Sequence, residues 1–115
     1  MKNRTILIVD DEADIRDTLK DVFELEGWLV ELAANGREAL AMLARVTPAV
    51  IVLDLMMPVM DGYAFYAALQ ADPAYARLPV LISTSDASRA PAGPPVVKKP
   101  VDIDTLIATI TRLAA

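Results

Sequence analysis

Short apolar runs alternate with segments of helical period along most of this 115-residue chain. A parallel strand that is buried on both faces reads as a nearly continuous aliphatic run, and a crossover helix connects it to the next parallel strand. The alternation therefore predicts an α/β fold in which repeated βα units surround a buried parallel sheet. The five runs that qualify as strands are Thr5–Val9, Leu29–Leu32, Ala49–Leu53, Val80–Ser83 and Val96–Val97.

Polar residues and a glycine mark where the four predicted helices start or stop. Gly27 is placed to end the first helix, as glycine often does at a helix C-terminus. Asn35 can cap the second helix, and Glu38 can reach back in the manner of a capping box. The third helix is predicted to follow Asp61, and the last one to follow Asp102.

The connection before the fifth strand breaks this rhythm. It contains Pro91, Gly93, Pro94 and Pro95, and a proline in a helix interior costs about 3 kcal/mol or more. We therefore predict a loop here, with at most one helical turn around Ala87–Ala90.

The composition excludes several classes of protein. The chain has no Cys and no His, which removes disulfides, thiolate or imidazole zinc sites, and Ser-His or Cys-His catalysis. A net charge of -5 without a Lys/Arg stripe disfavours direct contact with nucleic acid or an anionic membrane. The longest apolar region is too short for a span of about 20 residues, and the N-terminus does not resemble a signal peptide. We expect a single cytoplasmic domain over residues 1–115.

Three carboxylates follow predicted strands. Asp10 and Asp11 come after the first strand, and Asp54 comes after the third. Ligands of open α/β sheets collect at the carboxyl ends of the strands, so these side chains converge if the two strands are neighbours. Adjacent carboxylates repel one another, and a hard dication such as Mg²⁺ or Mn²⁺ would stabilise them. Taken singly, Asp11 could instead cap a helix, and Asp54 could begin a turn.

A hydroxyl and an ammonium are predicted at the same edge, because Thr84 follows the fourth strand and Lys99 follows the fifth. Phosphoryl transfer needs positive charge and hydrogen-bond donors around the equatorial oxygens. The set therefore predicts that Asp54 is a nucleophile that forms an aspartyl phosphate. Considered alone, either Thr84 or Lys99 is more often an ordinary surface residue.

The chain resembles the receiver domain of two-component response regulators, in the CheY-like superfamily. The resemblance is carried, in this order, by ILIVDDE, IVLDLMMPVMDG, LISTS and VVKKP, and it covers nearly the whole chain. The D-x-x-M-P-x-M-D-G block that begins at Asp54 is its most specific part. The resemblance implies a flavodoxin-like, doubly wound sheet of five parallel strands in the order 2-1-3-4-5. It also implies a phosphorylation-dependent signalling switch rather than an enzyme.

The resemblance also implies a set of metal ligands. Mg²⁺ would be bound by Asp11, by Asp54 and by the main-chain carbonyl of Met56. Asp10 would bind the ion mainly through water.

The same resemblance implies three roles around the phosphoryl group. Asp54 would be the phosphoacceptor, and Thr84 would be the hydroxyl that turns toward the phosphoryl group. Lys99 would be the phosphate partner, with a cis bond between Lys99 and Pro100.

The phosphoryl donor in the family is a histidine kinase or a histidine phosphotransfer protein. Because this chain contains no histidine, its phosphohistidine must come from another polypeptide or domain. The first helix is the usual docking surface in the family, which makes Ile15 and Leu19 candidate contacts. A role for both residues in the core is an equal alternative.

The chain departs from the family pattern before the fifth strand. Typical receivers have an aromatic residue three positions before the lysine and a full helix between the threonine and the fifth strand. Here the position holds Val96, and the span from Thr84 to Lys99 is short and rich in proline. We hypothesise that phosphorylation is read out by ordering of this loop, with the alternative that it is not read out through this face at all. Dimerisation through this face is left open.

The sequence leaves three alternatives to a phosphorylated switch. The strongest is a degenerate receiver that acts as a constitutive interaction module without phosphorylation. A phosphatase of the haloacid dehalogenase type would need a second Asp where this chain has Met56. A dinucleotide binder would need a glycine-rich loop after the first strand instead of the sequence DDE.

Overall fold

The computed structural model describes residues 3–115 as an α/β fold. In chain order its elements are β1 (Thr5–Val9), α1 (Ala13–Leu25), β2 (Leu29–Ala33), α2 (Gly36–Leu43), β3 (Val50–Asp54), α3 (Gly62–Ala71), β4 (Val80–Thr84), a 3₁₀ turn (Ala87–Arg89), β5 (Val96–Lys98) and α4 (Ile103–Ala114). All five predicted strands are present, with ends that differ by one residue at most. The differences place Asp54 and Thr84 inside their strands, as the last residue of each.

The five strands form one parallel sheet in the order β2-β1-β3-β4-β5. This confirms the predicted topology. The register pairs Val9 with both Ala33 and Leu53, and it pairs Thr84 with Lys98. The carboxyl ends of the three central strands therefore lie at the same level, which brings the residues that follow them to one edge of the sheet.

Helices cover both faces of the sheet, and each face has its own hydrophobic cluster. On one face, α2 and α3 pack over the inward residues of the central strands, with Phe65 fully buried. On the other face, α1 and α4 pack over the strand residues that point to that side, with Phe23 fully buried. Successive residues of a strand point to opposite faces, so the continuous aliphatic runs supply both clusters.

The helix termini follow the predicted signals. Gly27 follows α1 with a φ of 89°, a conformation that glycine adopts without steric cost. Side chains of Asn35, Asp61 and Asp102 cap α2, α3 and α4 by accepting backbone N–H bonds of 2.9–3.0 Å. Glu38 reaches back as expected, but its carboxylate accepts from the amide of the residue before the cap, Ala34, at 2.9 Å.

No α-helix lies between β4 and β5. The segment forms only the 3₁₀ turn, which is capped by Asp86, and then an irregular stretch that includes Gly93 at a φ of 112°. The predicted loop with a single helical turn is confirmed, and the proline content explains it. None of the helices that residues 3–115 form is long and apolar enough to cross a membrane.

Candidate functional site

The residues predicted to form the site meet at the carboxyl edge of the sheet. Asp10 follows β1, and Asp54 ends the neighbouring strand β3. Both carboxylates are buried, with Asp10 only 3% and Asp54 only 5% exposed. Thr84 ends β4, and its carbonyl accepts a hydrogen bond of 2.8 Å from the amide of Lys99. This backbone bond holds the hydroxyl residue and the cationic residue of the site side by side.

The ammonium of Lys99 lies between two of the carboxylates. Its Nζ is 3.0 Å from Oδ2 of Asp10 and 3.6 Å from Oδ1 of Asp54. Burial alone would lower the pKa of Lys99, but the hydrogen bond to Asp10 and the charges of both aspartates raise it above its ordinary value. Lys99 is therefore a fixed positive charge at the site across the physiological pH range.

Asp54 carries the most perturbed carboxyl of the site. Burial and the nearby negative charge of Asp10 raise its pKa from 3.8 to about 6, and a hydrogen bond with Asp11 acts in the same direction. The charge of Lys99 and a 3.3 Å hydrogen bond from the Met56 amide oppose the rise. Asp54 is thus mostly ionised at neutral pH, and a cation at the site would favour its charged form further.

The acidic side of the site is a cluster formed by the DDE sequence. Carboxylate oxygens of Asp10, Asp11 and Glu12 lie within 4.8 Å of one another. Hard oxygen donors at this spacing fit Mg²⁺, which binds through few carboxylates and keeps several waters. Glu12 is not among the candidate site residues predicted from the sequence. Its position directly after the two aspartates could have indicated that its carboxylate lies in the same cluster.

Asp10 differs from its neighbours because both of its carboxylate oxygens already have partners. Oδ1 accepts from the Glu12 amide at 3.0 Å, and Oδ2 accepts from Lys99 at 3.0 Å. Asp11 and Glu12 are exposed instead. This arrangement is compatible with the expectation that Asp10 contacts a metal mainly through water.

A cavity of about 240 Å³ opens beside Asp54. Its lining residues combine the acidic, hydroxyl and cationic groups: Asp11, Glu12, Asp54, Met56, Thr84, Ser85 and Lys99. Within it, Thr84 is buried, and its hydroxyl oxygen accepts a hydrogen bond of 3.3 Å from the Asp86 amide. The cavity therefore brings together a carboxylate, a cation and a hydroxyl.

The Asp-Gly pair of the β3–α3 loop sets where α3 begins relative to Asp54. Gly62 donates its N–H to the carbonyl of Leu55 at 3.0 Å. A Cβ at Gly62 would lie only 2.3 Å from the Asp54 carbonyl oxygen, so only glycine allows this approach. In the same loop, Val59 adopts a φ of 67°, which is strained for a β-branched residue.

A second and larger cavity, of about 560 Å³, lies between α1 and α4. Both candidate docking residues line it, but they differ in exposure. Leu19 is 6% exposed and belongs to the core, whereas Ile15 is half-buried at the margin of that core. Ile15 is thus the accessible member of the pair.

The predicted cis peptide between Lys99 and Pro100 is confirmed in the structure, and both residues line the same cavity.

Comparison with known proteins identifies the family. The family described as the response regulator receiver domain matches residues 6–111. This chain belongs to that family. The receiver domain is 34% identical over 122 residues to the response regulator Rre1 of Synechocystis sp., covering 96% of this chain and 52% of Rre1. It is 36% identical over 115 residues to the regulatory protein AtoC of Escherichia coli, covering 93% of this chain and 24% of AtoC.

Solved structures agree with this assignment. The signal receiver domain of a signal transduction histidine kinase from Syntrophus aciditrophicus has a TM-score of 0.88 at 33% identity, covering 96% of this chain and 89% of that one. The chemotaxis protein CheY4 of Vibrio cholerae has a TM-score of 0.87 at 32% identity, covering 96% and 98%. The resemblance inferred from the four sequence segments is confirmed. This receiver domain spans only part of the curated relatives that it matches, about a half of Rre1 and a quarter of AtoC.

Proposed function

We propose that this receiver domain is a phosphorylation-dependent switch in which Asp54 accepts a phosphoryl group from a phosphohistidine. The observation that carries the proposal is the position of Lys99, with its ammonium 3.0 Å from Asp10 and 3.6 Å from Asp54 beside an open cavity. A partly buried cation between two buried carboxylates serves little purpose for stability alone, because such ion pairs are a weak source of stability. It is well placed to neutralise a phosphoryl oxygen on Asp54.

The cavity contains the protein groups that take part in the transfer step. A carboxylate oxygen of Asp54 forms a bond to phosphorus while the phosphorus–nitrogen bond of the phosphohistidine breaks, and the imidazole leaves with the electron pair of that bond. Lys99 balances the charge of one phosphoryl oxygen. The hydroxyl of Thr84 exchanges its bond from the Asp86 amide for a bond that it donates to another oxygen.

The proposed metal site uses the acidic cluster and the start of the β3–α3 loop. Asp11, Asp54 and the main-chain carbonyl of Met56 would hold Mg²⁺ or Mn²⁺, with Asp10 and Glu12 contributing through water. When bound, the ion supplies positive charge opposite the phosphoryl oxygens. The oxygen-only donor set of this acidic cluster is the feature that supports this choice of metal.

The proposed partner is a histidine kinase or a histidine phosphotransfer protein, with Ile15 on α1 among the contacts. The half-buried position of Ile15 over the cavity between α1 and α4 supports this choice. We assign no direct nucleic-acid contact to this domain, and a cytoplasmic location stays a prediction of the sequence.

A small acyl phosphate with Mg²⁺ tests the proposal directly. We expect intact-protein mass spectrometry to show the gain of one phosphoryl group in the wild type and in Asp72→Asn, a control at the far end of α3. Asp54→Asn abolishes the gain, and removal of Mg²⁺ with a chelator slows it at least about tenfold because the charge compensation is lost. An equal gain in Asp54→Asn would place the acceptor elsewhere and refute the proposal.

The missing helix before β5 favours the second candidate, a constitutive interaction module. That segment lies next to Thr84 and would normally change with it, and here it is a 3₁₀ turn and a proline-rich stretch. The two functions differ in one outcome. If a partner kinase binds the wild type but transfers no phosphoryl group to it, the chain is a module rather than a switch.

A further inference from the structure

Arg16 contacts a residue of the site, but the proposed transfer chemistry gives it no role. It lies in the first turn of α1, and its Nη1 donates a hydrogen bond of 2.7 Å to the main-chain carbonyl of Asp10. This carbonyl belongs to the first residue of the acidic cluster. Arg16 as a whole is half-buried.

The position is electrostatically unfavourable for a cation. The N-terminus of a helix carries a partial positive charge, so a guanidinium in the first turn is repelled by the helix dipole. None of the ion pairs formed within residues 3–115 includes Arg16, although three acidic residues are close by in the sequence. A neutral carbonyl is therefore the partner that the structure provides for this charge.

With Arg16 in place, Asp10 is held at its backbone and at its side chain. Its N–H donates to the carbonyl of Ala33 at 3.1 Å, and its carbonyl accepts from Arg16. Its two carboxylate oxygens accept from the Glu12 amide and from Lys99. The hydrogen bond from Arg16 connects Asp10 to a side chain of α1.

We propose that Arg16 is a positioning residue that holds the β1–α1 segment in the conformation that binds the dication. The inference rests on the proposed function and deepens it, because it assigns the preorganisation of the acidic cluster to a residue that touches neither metal nor phosphate. Groups that orient metal ligands from outside typically change metal affinity by about 10- to 100-fold when they are removed.

The test separates positioning from simple charge. If Arg16 acted only as a nearby positive charge, Arg16→Met would remove repulsion and tighten Mg²⁺ binding. Under the positioning role, Arg16→Met weakens Mg²⁺ binding about tenfold, measured by titration calorimetry. Arg16→Lys, which keeps the charge and one donor, weakens it less. Lys20→Met removes a cation from the same helix that pairs only with Glu24, and we expect it to leave the affinity unchanged.

A second measurement does not depend on metal. In Mg²⁺-free protein, we expect hydrogen exchange of the Glu12 amide, which donates to Asp10, to be faster in Arg16→Met than in wild type by at least about tenfold. Equal or tighter Mg²⁺ binding, or unchanged exchange at Glu12, would overturn the inference. If wild type takes up no Mg²⁺, the proposed function fails, and the exchange measurement still decides whether Arg16 holds the segment. If Arg16→Met does not fold, the same two measurements on Arg16→Lys decide the matter.

Discussion

The groups around Asp54 shift its pKa in opposite directions. Burial and the charge of Asp10 favour its protonated form, whereas Lys99 and the Met56 amide favour its ionised form. The balance leaves its pKa at about 6, well above the ordinary value of 3.8. A proton would therefore compete with the proposed metal ion for the oxygens of Asp54 just below neutral pH.

This competition predicts how Mg²⁺ binding depends on pH. Because Asp54 must lose its proton to bind the metal, the apparent affinity should fall about tenfold for each unit of pH below about 6. Above pH 7 this group is ionised and contributes no further change. Calorimetric titrations between pH 5 and pH 8 measure the dependence, because this interval brackets the pKa of Asp54. An affinity that stays constant across this interval would contradict the assignment of Asp54 as a ligand.

The positions of the site residues could be predicted from the sequence, but their pairing could not. Asp54, Thr84 and Lys99 were found because parallel strands present their carboxyl ends at one edge. The ion pair between Lys99 and Asp10 joins residues 89 positions apart, and it depends on side-chain rotamers that no periodicity reveals. The bond from Arg16 to a main-chain carbonyl is invisible for the same reason.

At the scale of single elements, the connection between β4 and β5 contains a 3₁₀ turn as its one regular element. The 3₁₀ turn is hydrogen-bonded to α3, because the hydroxyl of Tyr63 donates a hydrogen bond of 2.8 Å to the Arg89 carbonyl. Asp86 caps the same turn while its amide donates to the hydroxyl of Thr84. A chain of hydrogen bonds therefore runs from the candidate switch residue to α3. This connection supports the hypothesis that the loop reports phosphorylation.

Tyr63→Phe tests the connection between the turn and α3. The substitution removes one hydrogen bond and keeps the ring, so we expect a loss of about 1 kcal/mol of local stability. The measurement is hydrogen exchange of the Arg89 and Ala90 amides, which donate within the turn. Tyr75→Phe is the control, because Tyr75 packs against the same core and its hydroxyl forms no hydrogen bond within residues 3–115. Exchange that is equally fast in both variants would show that the Tyr63 hydrogen bond does not stabilise the turn. Protection of a whole helix across residues 87–93 would refute the loop-ordering hypothesis.

Element ends were predictable wherever a single residue decides them. The capping roles of Asn35, Asp61 and Asp102 follow from short polar side chains placed before apolar periodicity. The prolines of the fourth connection excluded a helix for an equally local reason. The strand ends were harder to predict, because the last residue of β3 and of β4 is set by hydrogen bonds to the neighbouring strand.

At the scale of the whole molecule, two hydrophobic clusters share one sheet. Phe65 anchors the cluster under α2 and α3, and Phe23 anchors the cluster under α1 and α4. Both clusters use alternate residues of the same strands, so neither can open without exposing the other. We expect residues 3–115 to unfold as one cooperative unit, as small single domains usually do.

The buried charge of the site lowers the stability of this unit. The folded state binds the Asp54 proton more tightly than the unfolded chain does, so the contribution of Asp54 to stability falls as pH rises from about 4 to 6 and then stays low. Asp54→Asn removes that penalty, and we expect the free energy of unfolding without metal to rise by about 2 kcal/mol at neutral pH. Urea denaturation measures the change, and Asp72→Asn serves as the exposed control. A lower stability of Asp54→Asn would contradict the assignment.

The hydrogen bond from the Lys99 amide to the Thr84 carbonyl has an evolutionary consequence. The backbones of Thr84 and Lys99 are held beside each other across the sheet and not along the polypeptide. A change in the number of residues between 85 and 95 therefore need not separate the two residues. The connection can vary in length and in secondary structure while Thr84 and Lys99 stay at the same edge of the sheet as Asp54.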